Sequence, residues 1–222
     1  MISLPMISLR CKPSRWLPNP WWIGPIRLLG GVVALLALGC AAMAIEKELD
    51  EARAIAELQR GGHVVYLRHA ARFSGPRDGL GRWSSAAQFA DCRNQRNLTP
   101  EGQEQARELG VYWRQLKIPV ERVIASAQCR TRDTAILAFG AALIDPRLFD
   151  IEFVRQLVEE PVPAGTNTVI VGSDSQLRDL TGVELTYAEV ALLKPDGKGG
   201  ITVVARLELD DWADAASPGW WW

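Results

Sequence analysis

Histidine is scarce in this chain: 222 residues carry only two, His63 and His69. The four cysteines form no C-x-x-C pair. A zinc site needs more nitrogen and sulfur ligands than these, so no metal is expected. No internal repeat and no clear linker divides the sequence, which points away from solenoids and tandem domains. No G-x-S-x-G stretch is present, so the strand-to-helix elbow of the α/β-hydrolases is missing. Acidic residues are absent from the first 44 positions, which hold Arg10, Lys12, Arg15 and Arg27.

That basic leader runs into an uncharged apolar stretch from Leu28 to Ile45 and small residues at Ala42 and Ala44. The pattern predicts a secretory signal cleaved after Ala44, residues 1–44. The stretch also reaches the ~18 residues at which a spanning helix becomes a candidate, so an uncleaved N-terminal anchor is the alternative. Without the leader, 21 basic residues face 26 acidic ones, a net charge of −5. That balance argues against nucleic acid and anionic membrane as partners. Export, with a periplasmic location, is expected, or else a membrane-anchored domain facing the same side. Cys92 and Cys129 remain in the mature chain. In an oxidising compartment they form a disulfide or stay as two buried thiols.

The length remaining suits one α/β domain, residues 45–212, followed by a Trp-rich tail, residues 213–222, without a stable element. Leu49, Ala52, Ile55 and Leu58 mark one face of a first helix that Gly61 and Gly62 stop. "VVYL" is a continuously apolar strand, the kind buried on both faces. Residues 71–97 read as a long loop with a helical turn near 84–89; loops of that length usually serve a site. Thr99 and Pro100 open the next helix as cap and first residue, with Ala106, Leu109, Trp113 and Leu116 facing inward. "ERVIASA" and "TNTVIVGSDS" are two more strands. Helices are expected over "CRTRDTAILAFGAAL", "LFDIEFVRQLVEE" and, more briefly, "QLRDLTG". A hairpin turns at Pro195 to Gly200. The predicted fold is therefore α/β, a mostly parallel mixed sheet covered by helices.

Each inner strand ends in polar residues, and such sheets carry ligands beyond the carboxyl ends of their strands. Arg68-His69, Ser126 to Arg130, and Ser173-Asp174 are expected there. Arginines present a fixed charge and a planar fork of donors matched to phosphate oxygens. Arg130 also lies at a helix start, where backbone N–H groups favour an anion. A neutral His69 beside two arginines has a lone pair with which to attack phosphorus. The plain alternative is a solvated strand end and an ordinary charged helix face.

The pieces "LRHAAR", "NLTPEGQEQARELG", "ASAQCRTRDTA" and "TVIVGSDSQLRDLTG", in that order, resemble the histidine phosphatase superfamily. The resemblance is to small exported phosphatases of the lipopolysaccharide-modification type and to phosphoglycerate-mutase-like domains. It runs from about His63 to the hairpin. It implies a phosphoglycerate-mutase-like three-layer fold, a phosphorylated His69 during turnover, and Arg68 and Arg130 clamping the phosphoryl group. Arg72 and Ser126 support them. No cofactor is implied; the partner would be a phosphorylated small molecule or an envelope phosphate group. One position departs: where the family reads glycine-histidine, this chain reads Gly172-Ser173. Serine donates a hydrogen bond without charge, and loss of one such donor commonly costs about 10²–10³ in rate. Asp174 is the first candidate for the general acid, with Glu152, Glu159 and Glu160 as alternatives. A phosphate-binding protein without turnover is the second reading. A serine hydrolase using Ser173, His69 and Asp174 is the third.

Overall fold

The computed structural model describes residues 49–75, 91–217 and 219. The expected leader, the helical turn near 84–89 and the last tryptophans lie outside those residues. Among the described residues no helix is long and apolar enough to cross a membrane.

Helix α1, Glu51–Arg60, is capped by Asp50, whose carboxylate accepts from Arg53 N at 3.0 Å. Ala54, Ile55 and Leu58 are its buried residues; Ala52, expected on the inward stripe, is exposed. Strand β1, His63–Arg68, follows and is buried across its four central residues, as a continuous apolar run requires. Helix α2, Pro100–Gln115, starts at Thr99, whose hydroxyl accepts from Gly102 N at 3.0 Å. Its expected inward residues Ala106, Leu109 and Trp113, and the cap residue Leu116, are all buried.

Strand β2, Arg122–Ala125, and helix α3, Cys129–Phe139, come next. The helix stops four residues before the expected end, because Gly140 takes a left-handed φ of 81° and returns its N–H to Ile136 O. The freed residues lead into β3, Leu143–Ile144, a short strand with no pattern to announce it. A 3₁₀ turn, Pro146–Phe149, leads to α4, Ile151–Glu159, capped by Asp150. Then follow β4, Asn167–Gly172, and α5, Asp174–Thr181. The hairpin β5, Val190–Pro195, and β6, Ile201–Leu207, turns on Asp196, whose carboxylate accepts from Lys198 N and Gly200 N.

A final helix, α6 (Leu209–Ala216), was not expected. Residues 213–216 thus belong to it and not to a tail. Its anchor is Trp212, fully buried and stacked on Trp113 of α2 at 5.0 Å between ring centroids.

The six strands run in the order β3-β2-β4-β1-β5-β6. The first four are mutually parallel, β5 is antiparallel to β1, and β6 closes the hairpin on the edge. Val65 and Leu67 face one helical layer with Leu58, Leu109, Ala135 and Trp212. Val64 and Tyr66 face the other with Val154, Leu157 and Leu177. Helices on both faces bury the central strands and leave their carboxyl ends as the place where polar side chains gather.

Candidate active site

Parallel pairing of β1 with β4 sets Arg68 opposite Gly172, and β2 with β4 sets Ala125 opposite Val171. All three strands therefore end at one level, and their exits converge. His69 N donates to Gly172 O at 3.0 Å, and Ser126 N donates to Val171 O at 3.1 Å.

His69 is only 3% exposed, and Arg130 4%. The imidazole Nδ1 lies 2.9 Å from Ala70 O; a carbonyl can only accept, so Nδ1 carries the proton. Nε2 is left with its lone pair, and it accepts from Arg130 Nε at 3.1 Å. Burial, then the charge of Arg130, pushes the His69 pKa down to about 3; Arg68 and Arg72 add to this, and the Ala70 hydrogen bond opposes it. The ring is thus neutral at ordinary pH, with an attacking lone pair under a cation.

Arg68 stands beside it. Its Nη1 donates to Leu185 O, and its guanidinium lies over the Tyr187 ring at 4.4 Å. Its buried Nε has no hydrogen-bond partner among the described residues. Such an orphaned donor is rare in a folded protein and marks a place for an acceptor.

The other expected residues fall into two groups. Arg72 is half-buried, donates to Phe73 O at 3.0 Å and contributes charge to the site. Ser126 is fully buried, but its hydroxyl is engaged with Thr131 Oγ1 at 2.8 Å in the turn that starts α3. Ser173 donates to Gln128 Oε1 at 3.2 Å. Asp174 accepts from Leu185 N at 3.0 Å and pairs with Arg178 at 3.7 Å. The first N–H of α3, on Cys129, is met by Gln95 Oε1 at 2.9 Å.

Among the alternative acids, Glu152 is exposed and paired with Arg155 at 3.3 Å. Glu159 and Glu160 line a cavity of ≈530 Å³ with His63, at the start of β1. A six-residue strand separates that end from His69, about 20 Å at the usual rise per residue. Those two carboxylates are not site residues. A Ser173–His69 catalytic pair is not formed either. Both imidazole nitrogens are engaged elsewhere, and the serine hydroxyl points at Gln128.

Sequence reasoning missed the residues that hold the site in place. Thr134 Oγ1 accepts from Ala70 N at 3.1 Å and donates to Arg130 O at 2.7 Å, tying α3 to the exit of β1. Gln105 Oε1 accepts from Ala71 N at 3.0 Å. Tyr66, kept protonated by burial, donates to Ser173 O at 2.8 Å. Tyr187 stands 5.7 Å from the His69 ring between centroids. None of these has a local sequence signal, since each acts across the fold. Cys92 and Cys129 are joined in a disulfide with 5.8 Å between Cα atoms.

No family model matches the chain, and no curated protein matches it. Several solved structures are similar at low identity. The protein histidine phosphatase SixA complexed with tungstate is 19% identical with a TM-score of 0.43, over 67% of this chain and 98% of that one. The alpha-ribazole phosphatase from Shigella flexneri is 15% identical with a TM-score of 0.45, over 64% and 94%. Phosphoserine phosphatase from Entamoeba histolytica, in complex with 3-phosphoglyceric acid, is 10% identical with a TM-score of 0.45, over 67% and 98%.

Proposed function

We propose that this chain is an exported phosphatase-like domain that hydrolyses phosphomonoesters through a phosphohistidine on His69. The observation that carries the reading is the neutral Nε2 lone pair held at Arg130, next to an arginine with an unspent buried donor. A phosphoryl group entering there would take the N–H donors of Arg68 and Arg130. His69 Nε2, released as Arg130 Nε turns to the phosphoryl oxygens, would form a bond to phosphorus as the ester P–O bond breaks, and the leaving oxygen would take a proton. Water would then attack phosphorus, break the P–N bond and release inorganic phosphate. Asp174 would be the proton donor: Oδ1 accepts from Leu185 N, and Oδ2, 3.7 Å from Arg178, would carry the proton. Partners would be a phosphorylated small molecule or an envelope phosphate group. Residues 1–44 would direct export as a signal, or remain as an anchor.

A second reading is a phosphate-binding protein without turnover. The Ser173 hydroxyl favours it, because it is spent on Gln128 where a charged donor would speed transfer.

Intact-mass measurement after incubation with acetyl phosphate separates the two. Turnover predicts a gain of one phosphoryl group on wild type, absent in His69→Ala. Arg130→Ala should weaken binding of inorganic phosphate by about 1.5–3 kcal/mol, the usual worth of a charge-assisted hydrogen bond. Phosphate binding without any phosphoenzyme would establish the second reading. Equal phosphate affinity in wild type and Arg130→Ala would remove both.

A further inference from the structure

Residues 182–189 connect α5 to β5, and this connection spends its polar groups on the end of β1. Leu185 O accepts from Arg68 Nη1, and Glu189 O accepts from Arg68 N at 3.0 Å. Ala188 N donates to His69 O at 3.4 Å. The connection is itself fastened. Leu185 N donates to Asp174 at 3.0 Å, and Thr186 N donates to the carboxylate of Glu189, which is 2% exposed. Ala188 has φ 59°, a left-handed conformation that a residue with a Cβ adopts only where its surroundings enforce it. One short turn therefore fixes both Arg68 and His69.

At the centre of that turn is Tyr187. Its ring face meets the Arg68 guanidinium at 4.4 Å, and its centroid lies 5.7 Å from the His69 ring, tilted by 38°. A cation held over an aromatic face spends no N–H in a hydrogen bond. Arg68 is thus kept in place without spending its Nε–H, which is buried and unpartnered among the described residues. Without the ring, a buried guanidinium with an unspent donor would turn toward any available acceptor and leave the neutral imidazole.

We propose, resting on the anion site at His69 put forward above, that Tyr187 is the positioning residue for Arg68. Its face holds the guanidinium beside His69, where its N–H groups would meet the oxygens of a bound phosphoryl group. Asp174, through Leu185, is the far support of the same clamp. The carboxylate that was expected to act only as an acid thereby gains a role in holding the arginine.

Titration calorimetry of the full chain with tungstate, a phosphate mimic, tests this. Tyr187→Leu and Tyr187→Met remove the ring, and each should weaken tungstate binding about three- to thirty-fold, the range expected for a partly desolvated cation–π contact. Two replacements of different shape guard against one failing to fold. Tyr187→Phe keeps the face and should recover most of the affinity. In an Arg68→Gln background the further change Tyr187→Leu should add little, because the two residues act as one unit. Equal tungstate affinity in wild type and both ring-less variants overturns the role of Tyr187 and leaves the anion site standing. A full additional loss in the Arg68→Gln background overturns it too, by showing that the ring acts elsewhere. No tungstate binding by wild type sinks the anion site itself, and the positioning role with it.

Discussion

His69 shows how one buried side chain links stability to pH. An unfolded histidine takes up a proton near pH 6.5. The folded ring resists until about pH 3, because burial and Arg130 oppose its charge. Between those values the unfolded chain binds the extra proton, so acid favours unfolding there; above pH 6.5 the group contributes nothing. Each pH unit in that window is worth about 1.4 kcal/mol. Falling from pH 7 to pH 5 should therefore cost wild type about 2 kcal/mol that a His69→Gln variant does not lose. Urea unfolding of both proteins at the two pH values, in buffers without phosphate, measures the difference. If the two proteins lose stability in parallel on acidification, His69 is not held neutral as described. The same lowered pKa serves the proposed chemistry, since a protonated ring has no lone pair for phosphorus.

At the scale of elements, the motif "NLTPEGQEQ" works as a clamp on the chain that leaves β1. Thr99 N donates to Ala71 O at 3.0 Å, Gln105 accepts from Ala71 N, and Gly102 lies against the same peptide. A Cβ on Gly102 would stand 1.9 Å from Ala71 O, so helix and strand exit must part if alanine is placed there. Overpacking of this kind typically costs 1–3 kcal/mol, and the upper half of that range, about 2–3, is expected because the obstacle is backbone. Thermal unfolding of Gly102→Ala checks it. A melting temperature equal to wild type would show that α2 does not press on Ala71. The elements that could be read beforehand were those with many residues repeating one pattern. β1, β4, α2 and the hairpin each carry at least three buried apolar residues in the right period, and β2 ends on two, Ile124 and Ala125. α6 was hidden because its burial rests on Trp212 and Ala215 among aspartates, and β3 because two exposed residues make no pattern. At the site, Arg68, His69 and Arg130 were legible because strand ends and helix starts announce themselves. Tyr187 and Thr134 were not, because their roles arise from a turn and a helix face brought together only by tertiary packing.

Across the whole molecule, the stretch from Asp91 to Thr99 fastens two parts of the fold that are far apart in sequence. It meets the exit of β1 through Phe73 N to Asn97 O at 3.0 Å and through the Arg72–Leu98 bridge. It meets α3 through Gln95 on Cys129 N and through the Cys92–Cys129 disulfide, and Cys129 directly precedes Arg130. The bridge spans 37 positions in sequence. Closing a loop of that size removes unfolded-state freedom worth about 4 kcal/mol in the chain-entropy view, and measured values commonly fall at 2–4. Reduction should lower stability by about that amount, and it should do more than an ordinary loss of stability. With the strap released, the first turn of α3 loses a covalent fastening, so Arg130 should hold an anion less well even where the chain remains folded. Tungstate affinity of the oxidised protein, the reduced protein and a Cys92→Ser, Cys129→Ser variant, each measured well below its melting temperature, follows that effect. Weaker binding in both bridge-less forms is expected. Unchanged affinity alongside a lowered melting temperature would confine the disulfide to stability. Arg130 would then keep its place through other contacts, those with Thr134 and His69 among them, and a reducing compartment would be no obstacle to the chemistry proposed for this site.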